Sequence, residues 1–77
     1  MKLYTVVIKI TDSEDTLEDL LYFIQGEYRD IIVEVLYNDG NNYRCELTTD
    51  DYFDYGLFED IMDSNNYPVE FIEVETD

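Results

Sequence analysis

The feature that most restricts how this chain can fold is the order in which its apolar residues change period. Tyr4, Val6, Ile8 and Ile10 alternate, the period of two that marks a strand over residues 2–10 with one buried face. Leu17, Leu20, Leu21 and Ile24 then recur at helical spacing, and Gly26 is a natural stop. The segment Thr11-Asp12-Ser13-Glu14 predicts the start of that helix, with Thr11 or Ser13 as cap and Glu14 completing a capping box with Thr11. Next, the β-branched run Ile31-Ile32-Val33-Glu34-Val35 and the alternating run Tyr43-Arg44-Cys45-Glu46-Leu47 flank Asn38-Asp39-Gly40-Asn41-Asn42. Residues that tolerate positive φ fill that middle segment, which reads as a hairpin turn.

A second helix follows, capped by Asp50 or Asp51 and carrying Phe53, Leu57, Phe58, Ile61 and Met62 on its apolar side. Gly56 weakens its first turns, and Ser64-Asn65-Asn66 ends it. Tyr67-Pro68 leads into a last strand through Val69, Phe71, Ile72 and Val74, where the change of apolar phase between Phe71 and Ile72 predicts a bulge. The order βαββαβ predicts one α+β domain over residues 1–77, of the ferredoxin-like split βαβ type. Its four-stranded antiparallel sheet would carry both helices on one face. Val6, Ile8, Val33, Val35, Cys45 and Leu47 would face the helices. Thr5, Lys9, Glu34, Arg44, Glu46 and Thr48 would face away, with Lys9 and Arg44 offsetting neighbouring glutamates across strands.

Charge then restricts partners. Twenty Asp and Glu stand against four Lys and Arg with no His, a net of −16 on 77 residues. Such a balance repels nucleic acid and anionic membranes and attracts basic protein surfaces, including grooves that hold DNA or RNA. A chain this acidic folds only if it buries enough apolar surface, and 45% apolar with 16% aromatic residues is well above a disordered tail. A folded domain of this length spans about 30 Å, and 30 Å of duplex DNA carries about 18 charges.

Chemistry has few candidates. There is no His, no Gly-rich phosphate loop and no nucleophile elbow, so neither catalysis nor a cofactor is expected. Asp39-Gly40 with Glu46 sits like the end of an EF-hand loop, but Val35 and Tyr37 fill its first and third ligand positions, so no specific metal site is expected. Lone Cys45 excludes an intrachain disulfide, and Met1-Lys2-Leu3-Tyr4-Thr5 lacks a secretory h-region, so a cytoplasmic protein is expected. Eight Tyr and four Phe would serve RNA stacking only on a basic platform, which is missing.

The acids are unevenly placed. Residues 1–44 hold nine acids and all four bases, whereas residues 45–77 hold eleven acids and no base. On the first helix Glu14, Asp15, Glu18 and Asp19 fall within one arc, with Tyr22 projecting from it. On the second helix Glu59, Asp60 and Asp63 form a like cluster, and Asp50, Asp51 and Asp54 gather at its start beside Tyr52. Glu73, Glu75 and Asp77 recur at a strand repeat of roughly 7 Å, near the spacing of phosphates along one nucleic-acid strand. Acids at a helix N-terminus are favoured by the macrodipole, which accounts for any single cluster as an ordinary solvated face. It does not account for a whole chain with almost no lysine. The twelve residues of the helix clusters, Tyr22 and Tyr52 included and the last-strand acids left out, are the candidate partner-binding set, and Tyr22, Tyr52 and Tyr55 are the aromatics expected to be exposed.

In size, acidity and lack of catalytic motifs the chain resembles the small DNA-mimic inhibitors of bacteriophages and mobile elements, among them anti-CRISPR, anti-restriction and uracil-DNA glycosylase inhibitor proteins. The resemblance covers composition along the whole chain and no alignable motif, so it assigns no residue. It implies stoichiometric inhibition in a bacterial cytoplasm, with the acidic surface filling the basic nucleic-acid channel of a CRISPR effector or restriction enzyme. An antitoxin or immunity protein capping a basic toxin such as a ribonuclease has the same electrostatics, and a halophilic housekeeping domain shares the low lysine content.

Overall fold

Strands alternate with helices in the order β1 (Lys2–Lys9), α1 (Leu17–Glu27), β2 (Ile32–Asp39), β3 (Asn42–Thr49), α2 (Tyr55–Ser64) and β4 (Val69–Thr76) in a computed structural model that describes residues 1–76. Asp77, expected to extend the glutamate repeat of the last strand, lies outside the described residues. The four strands form one antiparallel sheet in the order β2-β3-β1-β4. Each helix therefore joins two parallel strands with a third strand paired between them: β3 lies between β1 and β2, and β1 lies between β3 and β4.

Alternate residues of the two central strands make the core. Tyr4, Val6 and Ile8 of β1 and Cys45 and Leu47 of β3 form one buried cluster with Leu20, Ile24, Phe58 and Met62. Both helices thus cover the same face, and Val33 and Val35 of edge strand β2 pack at its margin. Enclosure pushes the Cys45 thiol up to about 11, so it is held as an unreactive thiol near neutral pH. Around the start of α2, Tyr4, Tyr28, Phe53, Tyr55, Phe58 and Phe71 interlock with ring centroids 5.1 to 6.5 Å apart. The expectation that Tyr55 is exposed is overturned, because its ring joins this cluster and its hydroxyl is enclosed.

Both helices start later than predicted, for a common reason. The Asp12 carboxylate accepts the Glu14 N–H at 2.9 Å and the Asp12 carbonyl accepts the Asp15 N–H at 3.1 Å, so residues 12–15 close a turn before any helix begins. The cap is Thr16 rather than Thr11 or Ser13, and the capping box closes with Asp19 instead of Glu14. Likewise the Asp50 carboxylate accepts the Tyr52 N–H at 3.0 Å and Asp51 binds the N-terminal amine, which leaves Asp54 to cap α2 through the Leu57 N–H at 3.2 Å. At its other end α1 runs past Gly26 to Glu27.

Two bulges adjust the edge strands. Ile72 is the extra residue of β4, since Thr5 opposes Glu73 while Val6 opposes Phe71, as the phase change predicted. A second bulge, at Leu36, was not anticipated: Val35 opposes Cys45, and Tyr37 opposes Arg44. It turns Tyr37 to the uncovered face. Gly40 has φ +62° in the hairpin, the left-handed region that favours glycine. No helix among the described residues is long and apolar enough to cross a membrane.

Candidate functional site

Because β1 and β3 are antiparallel and each leads into a helix, the two helices begin at opposite ends of a molecule 36 Å long. The twelve predicted contact residues are divided accordingly. Glu14 and Asp15 precede α1, and Glu18, Asp19 and the 84% exposed Tyr22 lie on it. Asp50, Asp51, Asp54 and the 95% exposed Tyr52 stand at the far end, ahead of α2. Glu59, Asp60 and Asp63 lie along α2. The single first-helix arc is corrected, since Glu14 and Asp15 are in the preceding turn, and Tyr52 is likewise outside α2.

Many of these acids have local structural work. Asp19 completes the capping box of α1, Asp54 caps α2, Asp50 closes a turn as Asp12 does outside the set, and Asp51 lies 2.6 Å from the N-terminal amine. That hydrogen bond and the amine's charge hold the Asp51 carboxyl below the usual range. Others bear on enclosed tyrosines. Burial raises the Tyr67 pKa first, and the charges of Asp15, Asp19 and Asp12 add to it. Burial also raises that of Tyr55, with the Glu59 carboxylate close to the hydroxyl but short of hydrogen-bond geometry. Tyr28 behaves alike, its hydroxyl buried without a partner.

The opposite side of the sheet is arranged differently. Strand register places Glu34 of β2 directly opposite Glu46 of β3, Glu46 opposite Thr5 of β1, and Thr5 opposite Glu73 of β4. One row across all four strands thus carries three carboxylates on the face no helix covers. The flanking rows are Ile32, Thr48, Leu3 and Glu75 on one side and Tyr37, Arg44, Val7 and Glu70 on the other. Lys9 and Arg44 do not offset these glutamates as expected. The Arg44 guanidinium lies 5.8 Å from the Tyr37 ring centroid and donates to its hydroxyl at 3.4 Å, while Lys9 stands at a corner opposite Asn42. Among the described residues the one ion pair is that of Asp51 with the N-terminal amine.

A cleft of about 360 Å³ opens beside the start of α2, lined by Tyr28, Tyr52, Phe53, Asp30 and Asp54 among others. Its capping Asp54 is committed to the Leu57 N–H. No group of three His, Cys, Asp or Glu side chains among the described residues is placed to hold a metal ion. What the described residues offer chemically is a set of carboxylates of which only Asp51 is ion-paired. No protein-family model, curated protein or solved structure matches the chain.

Proposed function

We propose that this protein is a stoichiometric inhibitor that binds a basic nucleic-acid-binding protein, a CRISPR effector or restriction enzyme of a bacterial cytoplasm, and occupies the groove meant for DNA. It uses no cofactor and performs no catalysis; the split βαβ arrangement serves as a ferredoxin-like scaffold for carboxylates. The observation that carries this reading is the shortage of pairing. Among the described residues nineteen acids are spread over both layers and both ends, and no Lys or Arg forms an ion pair with any of them. A surface selected for stability alone intersperses both signs. A net of −16 raises encounter rates with a basic groove and lowers the stability of the free fold by self-repulsion.

The test is capture from lysates of bacteria expressing CRISPR and restriction systems, followed by challenge with duplex DNA and a cleavage assay. The expected result is retention of a nuclease that DNA displaces, with cleavage lost at one inhibitor per enzyme and recovered as salt rises. Retention of a small basic ribonuclease that DNA does not displace would replace this reading by the antitoxin one. Retention of no nucleic-acid enzyme would end it.

A further inference from the structure

We propose that the docking surface is the uncovered sheet face, centred on the row Glu34, Glu46, Thr5 and Glu73, and that its occupant is an arginine- and lysine-lined groove shaped for two nucleic-acid backbones. This rests on the inhibitor reading and adds to it which face makes contact.

The helices cover one side of the sheet only, so Leu3, Thr5 and Val7 of the central strand have no layer above them. Ile32 and Tyr37, 66% and 58% exposed, extend that apolar strip on either side of the carboxylate row. Apolar side chains interleaved with charge are what a desolvated contact uses, since charge steers and buried aromatic or aliphatic anchors hold. Glu34, Asp39, Glu46, Glu70, Glu73 and Glu75 share this face with Lys9 and Arg44, a net of −4 within the chain's −16. None of these carboxylates caps a helix or closes a turn.

Glu34 and Glu46 carry the point furthest. Directly opposed residues on neighbouring strands have Cβ atoms about 5 Å apart, where like charges oppose folding. A partner cation set between them removes that repulsion, so binding gains what the free fold loses. Dimensions also agree with a nucleic-acid groove. Glu46 and Glu73 are two strand spacings apart and Glu34 and Glu73 three, roughly 10 and 14 Å, which brackets a DNA major groove about 12 Å wide. Along β4, Glu73 and Glu75 follow at roughly 7 Å. A second copy of the chain is a poor occupant, because it would bring another net −16 against this face. Four strands of eight residues present roughly 500 Å², short of the ~800 Å² a stable contact takes from each partner, so the β2 and β4 edges join the interface.

An eight-arginine peptide is the probe, titrated into isotope-labelled protein at about 0.15 M salt while backbone amide shifts are followed. The expected shifts concentrate on Thr5, Val7, Glu34, Glu46 and Glu73. The triple change Glu34→Gln, Glu46→Gln and Glu73→Gln should weaken binding at least tenfold; Glu59→Gln, Asp60→Gln and Asp63→Gln, which remove the same charge from α2, should weaken it less than threefold. A melting curve for each variant separates lost contact from lost fold. Equal losses in the two variants, shifts centred on the helices, or no binding of the peptide would overturn the assignment of this face. Such a result leaves the inhibitor reading to the capture experiment, where the wild-type protein either retains a DNA-displaceable nuclease or does not.

Discussion

The helix layer and the bare side of the sheet are both acidic, but their acids are in different chemical situations. Around the helices, Asp19 and Asp54 terminate backbone segments, Asp12 and Asp50 close turns, and Asp51 neutralises an amine. Their negative charge comes with oxygens that satisfy otherwise unpaired N–H groups. On the bare face Glu34, Glu46, Glu70, Glu73 and Glu75 accept no side-chain hydrogen bond among the described residues, and two of them are directly opposed. Acidity is thus a poor guide to function until local work is subtracted. Subtraction leaves acids on both sides, Glu14, Glu18, Asp60 and Asp63 among those around the helices, and what is particular to the bare face is that two of its carboxylates stand directly opposite each other.

The contrast is broken most forcefully by removing a cap. Asp54→Ala should destabilise by about 1 to 2 kcal/mol, because the Leu57 N–H loses its acceptor at the start of α2. For a chain of this size that is about 4 to 8 °C in Tm per kcal/mol, read by thermal unfolding. An unchanged Tm would mean that Asp54 is as free as the acids of the sheet.

A smaller effect, of opposite sign, is expected at Tyr55. Its hydroxyl is enclosed with no hydrogen bond and Glu59 nearby, so Tyr55→Phe removes an unsatisfied group and should stabilise by about 1 kcal/mol. The pH dependence has a definite sign. Tyr28, Tyr55 and Tyr67 all hold their protons more tightly when folded, so their contribution is complete below the ordinary tyrosine value near ~10 and is lost as pH rises through the folded values. Cys45, raised to about 11, adds a loss of the same sign. Tm measured from pH 8 to pH 11 should therefore fall at the alkaline end, less steeply in Tyr55→Phe. A parallel decline in the two proteins would show that Tyr55 ionises as freely in the native state as in the unfolded one.

The element order and the buried alternation of β1 and β3 were legible because central strands covered on one face impose a strict period of two, seen in Val6, Ile8, Cys45 and Leu47. The Ile72 bulge was legible in the phase change after Phe71. The same sign was present in the adjacent pair Leu36-Tyr37, but continued alternation through Val33, Val35 and Tyr37 masked it. Caps were misplaced because Thr11, Ser13, Asp50 and Asp51 all have capping side chains, and only three dimensions show which are already taken by turns or by the amine. The opposed Glu34 and Glu46 were recognised as sharing a face. Their direct pairing depends on register, which the hairpin and the Leu36 bulge set together. Arg44 looked like their neutraliser until the bulge brought Tyr37 beside it.

The smallest effect discriminates best between the two faces. Glu34→Gln and Glu46→Gln should each stabilise the free protein by about 0.2 to 1 kcal/mol, since either one ends the like-charge opposition. The double variant should gain less than the sum, because the second neutralisation meets a repulsion already removed, and that shortfall measures the coupling directly. The pair is at the surface, so both gains and coupling should shrink as added salt screens the carboxylates, while the cost of Asp54→Ala, which is a lost hydrogen bond, should persist. If instead either glutamine destabilises the fold and the loss survives high salt, Glu34 and Glu46 have local structural work after all, and the division between the two faces of the sheet fails.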